Sequence, residues 1–223
     1  MRRAKLSFAL LFGILSWWNA AARGEDAIGG DTIVTKDMKP WEGCGECHDL
    51  DGVGPNGHFP NLAAQKTAYL LKQMDDFRTG KRQNDHGQMG VSSRDTTSAV
   101  LDRVVAYFAG LPPATPRPAG DLAPKELARA KLLLTQGSHR DKLPACFNCH
   151  STAPKRDYLA PCLEAQQAGY LDKQLDDFKQ GKRGNDPEAV MQKITQRLSD
   201  SDAAVLSAYL GSLSRGSACG AAP

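Results

Sequence analysis

The sequence predicts an all-α protein made of two tandem copies of one small domain, and three observations carry that expectation. The phrase MDDFRTGKRQNDHGQM (residues 74–89) returns as LDDFKQGKRGNDPEAVM (residues 175–191). Apolar residues in both copies fall three and four apart, the spacing of one helix face: Leu70, Met74 and Phe77 recur as Leu171, Leu175 and Phe178. Alternation of the strand type is scarce, and each copy instead carries the pentapeptide Cys-x-x-Cys-His.

Taken in order, the chain of 223 residues opens with Arg2, Arg3 and Lys5 ahead of the apolar run Leu6 to Trp18 and the small residues Ala20, Ala21 and Ala22. This pattern reads as a signal peptide over residues 1–22, with the mature chain starting near Arg23. No later segment reaches the roughly 20 apolar residues that a membrane-spanning helix needs. The expected product is exported to the periplasm and has at most a peripheral association with the membrane. Three of the 28 basic residues lie in that leader, which leaves 25 against 25 acidic ones. That balance, with no basic run or stripe, argues against a nucleic-acid partner.

The first domain is expected over residues 23–117 and the second over 118–223, joined by the Pro-rich linker LPPATPRPAGDLAP (residues 111–124). Its prolines favour an extended polyproline conformation. The sequence Pro60-x-Leu62-x-Ala64-Gln65-x-x-x-Tyr69 is answered 101 residues later from Pro161 to Tyr170. Gln73, Phe77, Gly80, Arg82, Asn84 and Asp85 recur at the same offset as Gln174, Phe178, Gly181, Arg183, Asn185 and Asp186. A one-residue insertion then displaces Met89 to Met191 and Tyr107 to Tyr209. Gly80 and Gly181 stand where a left-handed residue would end the helices before them. A second helix carries Leu101, Val104, Val105, Phe108 and Leu111, answered by Leu206, Tyr209, Leu210 and Leu213. A third, residues 122–137, leads into the second Cys-x-x-Cys-His, whereas the run before the first is shorter and carries a proline.

Six cysteines in an exported chain suggest three disulfides, but their arrangement does not. Cys44 and Cys47 precede His48, and Cys146 and Cys149 precede His150. This spacing signals c-type haem attachment, in which both thiols bind the porphyrin and the next residue supplies a proximal imidazole. A four-cysteine zinc site is disfavoured by the 98 residues between the pairs, and a thioredoxin-like site by the absence of a βαβ pattern. Met89 follows His48 by 41 residues and Met191 follows His150 by 41, so these methionines are the expected distal ligands.

Other candidates fail the comparison between copies. His86 faces Pro187, Glu188 and Ala189 in the second copy, Met74 corresponds to Leu175, and Met38, His58 and His139 have no counterparts. Met74 reads as core, and His58 and His139 as surface or propionate-side residues. The carbonyls of Pro60 and Pro161 would hold the Nδ1–H of each proximal imidazole, unless these are simple turn prolines. Arg82 and Arg183 read either as donors to haem propionates or as solvated loop charges. Cys162 and Cys219 remain, with a disulfide as the first reading, free thiols as the second and a Cys162 iron ligand as the third.

Two Cys-x-x-Cys-His domains, each carrying the P-x-L-x-x-Q…Y-L-x-x-Q…F-x-x-G-x-R-x-N-D…M signature, resemble the dihaem cytochromes of the c4 type, which join two class I cytochrome c folds. The resemblance runs from about residue 40 to 214. It implies two covalent haem c groups, thioether bonds to Cys44, Cys47, Cys146 and Cys149, and axial pairs His48 with Met89 and His150 with Met191. It also implies a non-enzymatic one-electron carrier between a respiratory donor and a terminal oxidase or reductase. The alternative is the electron-transfer subunit of a periplasmic dehydrogenase. A dihaem peroxidase-like enzyme ranks lower, since it would need a displaceable sixth ligand, with His86 beside Met89 its only prompt.

Overall fold

The structure, a computed structural model, describes residues 38–151 and 159–216. The expected signal peptide and Cys219 lie outside the described residues. Among those residues there are eight α-helices and no strand beyond a single bridge between Ser138 and Leu143.

The first copy holds α1 (Glu42–His48), α2 (Thr67–Arg78), α3 (Gln88–Asp95) and α4 (Ser98–Ala109); the second holds α5 (Pro124–Thr135), α6 (Ala168–Lys179), α7 (Val190–Thr195) and α8 (Asp200–Ser212). The apolar stripes read from the sequence are the packed faces. Leu70, Leu101 and Val105 join α2 to α4, while Leu171, Leu206 and Leu210 join α6 to α8, with Leu133 and Leu134 of α5 against them. Leu111 lies just past the end of α4 and Leu213 caps α8, yet both still pack on their cores.

Local chemistry sets the ends of these helices. Gly80 (φ 74°) and Gly181 (φ 71°) occupy the left-handed position after the last turns of α2 and α6, where a side chain would be strained. The side chains of Thr97 and Ser199 accept the first free amides of α4 and α8. Pro124 opens α5, and the Glu126 carboxylate takes the Ala123 amide at 2.7 Å. Residues 112–120 carry neither helix nor strand, and the Arg117 amide donates to the Gly211 carbonyl at 3.0 Å.

The two copies meet through α2, α6 and the turns that follow them, and the join is polar. Arg82 donates to Gln73 of its own copy at 2.8 Å and to Gln174 and the Tyr170 hydroxyl of the other, both at 3.0 Å. Arg183 mirrors it, donating to Gln174 at 2.8 Å, Gln73 at 3.0 Å and the Tyr69 hydroxyl at 3.2 Å. Asn84 reaches Asp177, and Asn185 reaches Asp76, each at 2.6 Å. Lys72 and Lys173 pair with the same two aspartates within their own helices and donate across the join to Asn185 and Asn84 carbonyls. The solvated-loop reading of the arginines is therefore overturned. At 6 % and 5 % exposure, Arg82 and Arg183 lie over the Phe77 and Phe178 rings, inside a network that crosses between the copies.

Arg82→Lys keeps the charge but loses the planar fork, leaving buried acceptors short of donors. We expect it to destabilise the protein by about 2 kcal/mol, read as a lower denaturant midpoint. An unchanged midpoint would show that the network adds nothing to stability.

Candidate functional site

Each Cys-x-x-Cys-His sits on a short helical turn that brings its residues to one side. In the first copy this is α1, held by Trp41, which stacks on Tyr107 of α4 with ring centroids 4.4 Å apart; the Tyr107 hydroxyl donates to the Leu50 carbonyl at 2.7 Å. In the second it is a 3₁₀ turn, Cys146–Asn148, with the His150 amide donating to Cys146 at 3.0 Å. The two motifs thus share a role with different backbone windings.

The imidazoles are buried, and Nδ1 of each donates to a proline carbonyl: His48 to Pro60 at 3.1 Å and His150 to Pro161 at 2.9 Å. Both bonds are those anticipated from the sequence. They fix each ring's orientation and leave Nε2 as the unprotonated nitrogen of a neutral imidazole. Burial pushes the pKa of His48 below its usual value, although the Pro60 hydrogen bond opposes the shift. Burial likewise pushes His150 down to about 4, again against its proline bond. Burial raises the Cys44 and Cys146 thiols to about 11, so both are protonated at neutral pH.

One continuous cavity connects the two copies. Its walls include Cys44, Cys47, His48 and Met89 from the first, and Cys146, Cys149, His150 and Met191 from the second. Leu70, Val104, Phe108, Leu171, Leu175 and Leu206 make much of the lining apolar, while Arg82, Arg183, Gln73 and Gln174 line it where the copies meet. None of the four motif cysteines is in a disulfide, and no cluster of three or more metal-ligating His, Cys, Asp or Glu residues occurs among the described residues. Cys162 is disulfide-bonded, which removes the free-thiol and iron-ligand readings for it; its expected partner Cys219 lies outside the described residues.

The remaining candidates sort by position. Met74 packs in the first core beside Leu70, as expected. His86 and His139 are exposed and do not line the cavity, whereas His58 is exposed but lies on its rim against Phe59. Sequence reasoning did not foresee that Met89 and Met191 stand in the first turns of α3 and α7. Nor did it assign a role to Asp85 and Asp186, whose carboxylates accept the Met89 and Met191 amides at 2.5 and 2.6 Å. Their recurrence in the repeated Asn-Asp pair, just upstream of each methionine, was the available signal.

A largely apolar pocket that offers an imidazole nitrogen, a methionine sulfur and paired thiols suits a covalently held haem, and the chain provides this twice. The class so defined is the tandem dihaem c-type cytochrome. No protein-family model matches the sequence. Similar proteins nonetheless agree. Cytochrome c4 of Pseudomonas aeruginosa is 37 % identical over 216 residues, covering 96 % of this chain and all of that protein. The thiosulfate dehydrogenase electron acceptor of Stutzerimonas stutzeri is 31 % identical, covering 76 % of this chain and 78 % of its own length. A crystal structure of reduced cytochrome c4 from Pseudomonas stutzeri superposes with a TM-score of 0.62 at 31 % identity, over 77 % of this chain and 93 % of that one. The chain belongs to the cytochrome c4 family, and it is a dihaem electron-transfer protein, not an enzyme.

The buried imidazoles carry a pH consequence. An unfolded His150 would titrate near 6.5 and the folded one near 4, so between these values the unfolded state binds more protons. The stability contributed by the neutral ring is full above about 6.5 and is lost as pH falls toward 4. His48 shifts in the same direction. Denaturant unfolding of the haem-free chain across this range should show stability falling with acid; a pH-independent midpoint would contradict it.

Proposed function

We propose that the mature chain is a periplasmic one-electron relay whose irons are held by His48 with Met89 and by His150 with Met191. The observation that carries this reading is the duplicated proximal arrangement, two buried imidazoles each tied through Nδ1 to a proline carbonyl and facing a cavity that also receives a methionine. Cys44, Cys47, Cys146 and Cys149 would hold the two haems through thioether links. When bound, each haem supplies a one-electron ferric/ferrous couple, and methionine ligation favours the ferrous state.

The chain's own contribution is positional. Pro60 and Pro161 fix the imidazole tautomers, Asp85 and Asp186 hold the amides of the distal methionines, and the apolar lining keeps water from the iron. The polar join holds the two cavities as one, which supports a short electron path between the sites. The domain boundary lies at residues 117 and 118 within the Pro-rich segment, and residues 1–22 serve for export. No helix among the described residues is long and apolar enough to cross a membrane.

The partners are redox proteins: a respiratory donor and a terminal oxidase or reductase. A second reading has one specific support, the relative named as a thiosulfate dehydrogenase electron acceptor. In that role the chain takes its electrons from a periplasmic dehydrogenase, and a lasting complex with that catalytic partner would separate this reading from the first.

The test is an optical redox titration of the holoprotein together with Met89→Ala and Met191→Ala. Two low-spin haems at high potential are expected, and each substitution should remove the ferric Met-ligation band of one haem only. A high-spin or strongly low-potential haem in the unaltered protein would overturn the relay.

A further inference from the structure

The carbonyl that holds each proximal imidazole belongs to a peptide group whose other end is bound from the opposite copy. Pro60 C=O and Asn61 N–H are two ends of one trans peptide unit. The carbonyl accepts His48 Nδ1–H at 3.1 Å, and the amide donates to the side-chain oxygen of Gln166 at 2.7 Å. In the second copy the Pro161 carbonyl accepts His150 Nδ1–H at 2.9 Å, and the Cys162 amide donates to Gln65 at 2.8 Å. Each glutamine closes a second bond with its Nε2, Gln166 to the Asn61 carbonyl at 3.0 Å and Gln65 to the Cys162 carbonyl at 3.1 Å.

Both glutamines are buried, and each side-chain oxygen also accepts the amide of the following residue, Lys66 or Gln167. The residues just before them, Ala64 (φ 53°) and Ala165 (φ 55°), take the left-handed conformation. For alanine this costs about 1 kcal/mol. Strain repeated in both copies at the residue preceding each glutamine marks a turn that serves the glutamine's placement.

We propose that Gln65 and Gln166 are positioning residues that tune the haem of the other domain: Gln166 acts on the His48 site and Gln65 on the His150 site. This rests on the reading of His48 and His150 as proximal ligands. The path is a hydrogen-bonded chain from imidazole N–H through the peptide C=O and N–H to the glutamine oxygen. A bond accepted from the peptide N–H polarises its C=O and strengthens it as an acceptor. A stronger acceptor on Nδ1–H raises the basicity of the iron-bound imidazole, which favours the ferric state. Removing the glutamine oxygen therefore raises the potential of the haem across the join.

The experiment is a redox titration of the full-length holoprotein carrying Gln166→Met or Gln65→Met, which keep side-chain bulk and lose all three of the glutamine's bonds. The steps are assigned in Met89→Ala and Met191→Ala backgrounds. Gln166→Met should raise only the first haem's potential, and Gln65→Met only the second's. The expected size is about a threefold change in the one-electron equilibrium constant, or about 28 mV at 59 mV per tenfold. Gln166→Glu, which retains an acceptor for the Asn61 amide, should return the first potential to or below its original value. Unchanged potentials, shifts within the same domain, or equal shifts of both haems would overturn the proposal; equal shifts would indicate a merely loosened join. Failure of the ligand reading shows separately, as a spectrum unaltered by Met89→Ala or Met191→Ala.

Discussion

Neither copy of the repeat can satisfy its own buried polar groups, and the rest of the structure follows from that constraint. The Arg82 guanidinium finds two acceptors at home, in Gln73 and Asn84, and two across the join, in Gln174 and Tyr170. Arg183 is placed identically in the opposite sense. The two like charges lie close together because two amide oxygens, Gln73 and Gln174, each accept from both arginines. Burial alone would raise the Tyr170 pKa, but Arg82 and Arg183 together bring it below its usual value. An unpartnered buried group costs about 1–3 kcal/mol, so separating the copies would strand several at once. Domains within one chain are by default free to move relative to each other; here a charge-assisted network works against that freedom.

Fixing the copies also fixes what each cavity contains. The helices that meet at the join, α2 and α6, are the ones that line the cavity on their other faces with Leu70, Phe77, Leu171 and Phe178. Arg82 and Arg183 serve both surfaces, stacking on those phenylalanines while bonding across the join. A polar residue lost from the join therefore disturbs the apolar walls as well. The turns that hold the His48 and His150 rings are tied in through Asn61 and Cys162, and those before Met89 and Met191 through Asn84 and Asn185, which stand next to the aspartates that hold the methionine amides.

Much of this was legible in the sequence, because the relevant signals are local or repeated. Cys-x-x-Cys-His is a contiguous motif; the helix faces follow from spacing; Pro60 and Pro161 stood out by their distance from the histidines, and the methionines by an equal span in both copies. The join was not legible. Gln73 and Asp76 alternate with Leu70 and Phe77 as the solvent face of an amphipathic helix would, Arg82 and Asn84 follow in a turn that reads as exposed loop, and neither pattern distinguishes water from a second copy of itself. The short helices α3 and α7 were missed for a related reason. Their starts depend on the Asp85 and Asp186 carboxylates reaching amides four and five residues on, through turns that include left-handed His86, Glu188 and Ala189.

The near-twofold frame is broken at a few matched positions. Asn61 sends a side-chain amide across to the Ala165 carbonyl at 2.7 Å, whereas its counterpart Cys162 is in a disulfide and has no side-chain amide to return. Gln167 donates to the Gly54 carbonyl beside the first site, and its counterpart Lys66 donates to the Ser151 and Ala160 carbonyls beside the second. A neutral amide thus stands where the other copy has an ammonium, and that ammonium also helps to depress the His150 pKa after burial. A cation near one site and not the other weighs differently on a centre that gains or loses charge. The shared frame holds the two sites in a fixed relation, while these substitutions give them different charge surroundings.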